Sequence, residues 1–129
     1  MASYYFSKTL ALPLDEAVER VTAELKEEGF GVLTEIDVQA TLKKKLDVAF
    51  RPYRILGACN PGFAHQALQA EDKIGTMLPC NVIVQEIDAG RCEVAAVDPV
   101  ASMQAVENDA LMPIAAQVRE RLQRVVERL

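Results

Sequence analysis

The sequence predicts an α+β domain built on a mainly antiparallel sheet. Three observations carry this expectation. The apolar residues switch repeatedly between a helical spacing and a period of two. Two of the period-two runs are joined by a compact Asp88-Ala89-Gly90 turn, which breaks any regular strand–helix alternation. Several strands also alternate apolar with polar residues instead of being apolar throughout, the pattern of a sheet with one wet face and not of a doubly wound parallel sheet. With 129 residues, half of them apolar and 26% charged, the chain is expected to form one domain over residues 1–129. Only 5% of residues are aromatic and none is Trp, so the core is aliphatic.

Ser3–Leu12 alternates loosely, with Tyr4, Phe6 and Leu10 on one side, and reads as the first strand. Pro13 suits the opening of a helix in which Leu14, Val18, Val21 and Leu25 form the apolar stripe. Gly29 stands where a left-handed cap ends such a helix, whereas Glu27 and Glu28 oppose its dipole. From Phe30 to Val38 the period is two, which places Phe30, Val32, Thr34, Ile36 and Val38 on one face and points Glu35 and Asp37 away. Leu42 and Leu46 suggest a short helix bearing Lys43, Lys44 and Lys45. A strand follows Pro52, with Tyr53, Ile55, Gly57 and Cys59 on one face. Asn60-Pro61-Gly62 breaks it and opens a second short helix, striped by Phe63, Ala64, Ala67 and Leu68. Leu78–Ile87 and Arg91–Val97 form the hairpin, and Asp98-Pro99 ends the sheet. A long amphipathic helix begins near Asp109, with a start blurred by Pro113. Two long helices are thus expected to cover one face of the sheet and to leave the other open.

The net charge of −5, from 14 basic and 19 acidic residues, argues against nucleic acid as a partner. One basic run, Lys43, Lys44, Lys45, Arg51 and Arg54 against Asp47 alone, reads as a solvated face in preference to an anion site. No stretch has the roughly 18 apolar residues that span a bilayer, and Met1–Leu14 lacks the pattern of a secretory signal. Three cysteines then point to reduced thiols and a cytoplasmic location.

Chemistry has few places to sit. Cys59 ends a strand just before the helix opened by Asn60 and Pro61, a setting that lowers a thiol's pKa and attracts anions; an ordinary core cysteine explains the position at least as well. His65, the only histidine, lies about 7–8 Å further along that helix, too far to serve Cys59 as a base. Cys80-Asn81 repeats the Cys-Asn pair. Without a C-x-x-C pair the zinc signal is weak, but Cys59 and Cys80 on adjacent strands are candidates for a soft metal. Glu35 and Asp37 offer two carboxylates two apart on one strand face, which a solvated strand explains at least as well as catalysis does.

Four segments in order, Gly29–Val38, Tyr53–Pro61, Leu78–Val82 and Val97–Pro99, resemble the bacterial and archaeal family catalogued as domain of unknown function 302. The resemblance covers nearly the whole chain. It implies a TATA-binding-protein-like β-α-β4-α arrangement and a homodimer, and it draws attention to Thr34, Glu35, Cys59, Asn60, Pro61, Cys80, Asn81 and Asp98. It implies no activity. The function expected is therefore a binding module for a small ligand, an anion or a soft metal, at a thiol-containing site where a strand ends and a helix begins. A thiol-dependent enzyme or redox protein using Cys59 and Cys80 is the first alternative, and a purely structural dimerisation domain the second.

Overall fold

The periodicities resolve, in a computed structural model that describes residues 3–129, into β1 (Tyr5–Leu10), α1 (Leu14–Glu27), β2 (Gly31–Asp37), α2 (Val38–Leu46), β3 (Tyr53–Cys59), α3 (Pro61–Ala70), β4 (Cys80–Asp88), β5 (Arg91–Val97), α4 (Pro99–Ser102) and α5 (Leu111–Glu127). A 3₁₀ segment, Asp72–Met77, links α3 to β4. The strands form one antiparallel sheet in the order β1-β5-β4-β3-β2. Its two ends are far apart in sequence: Tyr5 pairs with Val97 and Leu10 with Cys92. The α+β expectation and the helix-covered face are borne out.

Alternation decides which face is covered. Leu56 and Ala58 of β3, Val82 and Val84 of β4, and Cys92, Val94 and Ala96 of β5 are fully buried on one side. Against them pack Ala17, Val18, Val21 and Leu25 of α1 and Val118, Leu122, Val125 and Val126 of α5. A second, smaller cluster comprises Ala67, Ile74, Met103, Leu111 and Ala115. It joins α3, the 3₁₀ segment, the residue after α4 and the first turns of α5. Pro113 is tolerated because it is the third residue of α5, where a backbone N–H has no helical partner to lose.

The end of α1 resolves the misplaced acids. Gly29 has φ +86°, and the amides of Phe30 and Gly29 donate to the carbonyls of Leu25 and Lys26, which closes the helix with a left-handed cap. The Glu28 carboxylate, just past the helix, receives Arg124 Nη2 at 2.9 Å and Arg128 Nη1 at 2.7 Å. Two guanidiniums of α5 outweigh the unfavourable dipole at this end.

One face assignment is corrected. A bulge at Leu33 lets Val32 pair with Ala58 while Thr34 pairs with Gly57. The extra residue inverts the pleat. Val32 keeps the covered side, but Thr34 and Ile36 turn to the open face, where Ile36 is 47% exposed. Glu35 and Asp37 turn to the helix side instead of away from it. There Arg54 Nη1 donates to Glu35 at 3.0 Å, its Nη2 to Asp15 at 3.1 Å, and its Nε lies 3.9 Å from Asp37. Most of β2 is exposed, so it is an edge strand and not the half-buried strand expected.

Candidate functional site at the end of the sheet

β3 is an inner strand between β2 and β4, and its last residues lead into those singled out by sequence. Leu56 and Ala58 bury their side chains under the helices, Cys59 ends the strand, and the chain bends through Asn60 into α3. Pro61, as expected, supplies the first helical residue. Asn60 occupies the cap position, but its side chain does not cap the helix. Its Nδ2 donates instead to the Glu28 carbonyl at 3.4 Å, across to the end of α1. That carbonyl also accepts from Arg121 Nη1 at 3.2 Å. Gly29 makes room: a Cβ there would stand 3.0 Å from Asn60 Nδ2, and the positive φ would strain any side chain.

Where the two hydrophobic clusters meet, a cavity of about 290 Å³ opens between α3, α5 and the end of the sheet. Phe63, Ala64 and Ala67 form one wall and Leu111, Ile114, Ala115 and Val118 the opposite one. Ala58, Cys59, Asn60 and Cys80 close the sheet end, and Leu33 and Leu68, 67% and 43% exposed, stand at the rim. The guanidinium of Arg121 stacks 5.2 Å from the Phe63 ring.

Cys59, Asn60 and Cys80 are therefore brought together. Cys80 lies opposite Ala58 on the covered face, whereas Cys59 alternates to the other; at the strand ends both border the same cavity. Burial, together with the nearby Cys59, pushes the Cys80 thiol up to about 11. At neutral pH it is a neutral thiol and a poor nucleophile. Among the described residues no group of three or more His, Cys, Asp or Glu side chains is placed to hold a metal.

The other candidates lie elsewhere. Thr34 sits on the open face directly over Gly57. Asn81 points to the open side, where it borders a second hollow, of about 400 Å³, with Tyr5, Tyr53, Ile83 and Gln85. Glu35 is held by Arg54. Pro61 is exposed and does not line the cavity. Asp98 is a structural cap: its Oδ1 accepts from the Val100 amide at 3.0 Å, and its Oδ2 from Arg119 Nε at 3.1 Å. His65 is exposed, as expected. The cavity residues that sequence reasoning missed include Met103, the α3 wall and, above all, the residues of the α5 wall. Their signal was present as the apolar stripe Leu111, Ile114, Ala115 and Val118, but nothing in the spacing says that its first half runs past the sheet and faces α3.

A single antiparallel sheet with two long helices on one face, open on the other and hollow at one end, defines a small α+β domain. The chain belongs to the family described as Domain of unknown function DUF302, whose model matches residues 6–129. Among solved structures it is similar to an uncharacterised conserved protein of that family from Bacillus stearothermophilus, with 30% identity, 98% of each chain covered and a TM-score of 0.89. No curated protein matches this chain. No helix among the described residues is long and apolar enough to cross a membrane.

Proposed function

We propose that the domain is a cytoplasmic binding module whose small ligand enters the cavity bordered by Cys59, Asn60 and Cys80. The cavity itself carries this reading. Its volume of about 290 Å³ lies at the lower end of the range for ligand pockets, and it is walled by two helices and a sheet end. A protonated Cys80 favours a binding role over catalysis by that thiol, and among the described residues no third His, Cys, Asp or Glu joins Cys59 and Cys80 as a metal ligand.

The neutral fluorophore N-phenyl-1-naphthylamine tests the site. Its emission is expected to rise and saturate at one probe per chain. Ala67→Phe, which fills the space from α3, is expected to abolish the rise and leave the unfolding midpoint no lower. Equal saturation in wild type and variant would place the probe elsewhere and end this reading.

The open sheet face, with Ile55, Ile83, Ala95 and Val97 half-buried and Tyr5 and Ile36 exposed, supports the homodimer that the family resemblance implies. Light scattering on a size-exclusion column is expected to give twice the 14.2 kDa chain mass, and a monomer mass at micromolar concentration would remove the dimer.

A further inference from the structure

We infer that the cavity takes an amphipathic carboxylate, its apolar body inside and its charged group on Arg121 at the mouth. This rests on the reading of the cavity as a ligand site and names the chemistry of its occupant.

Arg121 extends one wall of the cavity. Ile114 and Val118 of α5 are lining residues, and Arg121 follows Val118 by one turn on the same face of the helix. Its guanidinium lies over the ring of Phe63, on the opposite wall, 5.2 Å from the ring centre. Its Nη1 donates to the Glu28 carbonyl, which also accepts from the lining residue Asn60. The cation thus stands where α3, α5 and the end of α1 converge, beside the Phe63 and Asn60 border of the cavity.

Arg121 also differs from the other arginines of α5. Arg119 is paired with Asp98, Arg124 with Glu28, and Arg128 with both Glu24 and Glu28. Arg121 gives one N–H to a neutral carbonyl, and among the described residues nothing accepts from its Nε or Nη2. A guanidinium carries its five N–H donors in one plane, so stacking on a ring leaves a donor edge that fits a carboxylate. The side chain is half-buried, where a charge-assisted hydrogen bond is stronger than in open water. Nothing in the lining repels an anion: it holds no Asp or Glu, and the Glu28 carboxylate outside it is already held by Arg124 and Arg128.

The rest of the lining sets the body of the ligand. Apart from Asn60 and the thiols of Cys59 and Cys80 its side chains are apolar, which suits a hydrocarbon. A cavity of about 150 Å³ with an apolar lining holds a benzene ring, so about 290 Å³ takes roughly two fused rings or an alkyl chain of comparable bulk. The class is an aromatic or medium-chain carboxylic acid.

Three molecules with one ring system separate the possibilities: 2-naphthoate, 2-naphthalenemethanol and 2-naphthylmethylammonium, each titrated by calorimetry at pH 7 against the full chain. The carboxylate is expected to bind tightest, the alcohol about tenfold weaker and the ammonium ion weaker still. Arg121→Met keeps an apolar stem beside Phe63 and removes the charge. It is expected to bring 2-naphthoate down to the level of the alcohol while alcohol binding holds. Retained alcohol binding also reports that the variant is folded. Alcohol or ammonium binding as tight as the carboxylate in wild type would overturn the inference, and that comparison needs no variant. A carboxylate advantage that survives in Arg121→Met would overturn the role of Arg121. If none of the three binds although N-phenyl-1-naphthylamine does, this ligand class is wrong and the binding site stands. If that probe fails as well, the site itself falls.

Discussion

Gly57→Val is expected to destabilise the domain by about 2–3 kcal/mol, because it overpacks a site with no space to give. Gly57 is buried in β3, paired with Thr34 on β2 and Asn81 on β4. A Cβ there would overlap Thr34 Oγ1 and come 2.8 Å from Pro79 Cγ. The threonine can rotate, but the proline ring cannot leave without shifting the start of β4. Urea unfolding measures the loss. Gly57→Ala is expected to lose less, and combining it with Thr34→Ala to recover part of that loss. An unchanged midpoint in Gly57→Val would show that neither side chain closes over this strand. Thr34, singled out from sequence as a site residue, then has a different role: it covers the bare backbone of Gly57 on the open face.

Glu28→Gln is expected to cost about 1–3 kcal/mol at neutral pH, less than a fully buried ion pair because both arginine partners are 40% or more exposed and rehydrate when released. For a domain of this size that lowers Tm by roughly 4–10 °C. The pH dependence has a definite sign. Hydrogen bonding by Arg124, opposed by desolvation and aided by Arg128, holds the Glu28 carboxyl below its ordinary value. Its contribution is therefore complete above the unfolded carboxylate pKa of about 4.3 and disappears as pH falls through the lower folded value. The gap between wild type and Glu28→Gln should be wide at pH 7 and close on acidification below about pH 4. A gap that is constant with pH would mean the carboxylate's charge is not what binds α1 to α5.

Much of this architecture was legible because local chemistry and tertiary packing agree. Val82 and Val84 against Asn81 and Ile83, the Ala89-Gly90 turn, Cys92-Val94-Ala96 and the left-handed Gly29 all do in the fold what their spacing implies. The failures occur where a distant group decides. A single extra residue at Leu33 turned Thr34 and Ile36 to the other face, and no alternation rule contains a bulge. Glu28 looked misplaced because its partners, Arg124 and Arg128, lie about a hundred residues away. Asn60 has the identity and position of a cap, but the Glu28 carbonyl competes for its amide. At the site, Cys59, Asn60 and Cys80 were found by residue type and by family resemblance. The hollow they border was not, because a cavity is made by what fails to meet, and here the two sides are α3 and a stripe of α5 some fifty residues later.

The pairing of β1 with β5 has a consequence for how the chain comes off the ribosome. β1 is an edge strand whose partner is β5, so the segment made first has its seat on a segment made late. Until Arg91–Val97 emerges, the β1 backbone has no ladder to join, and α1 lacks part of the sheet surface that its Ala17, Val18 and Val21 cover. The adjacent strands β4 and β5 need only a two-residue turn to meet, whereas bringing β1 to them closes a loop of most of the domain. Nascent chains are therefore exposed to unwanted association through an unpaired strand and an uncovered helix face for most of their synthesis.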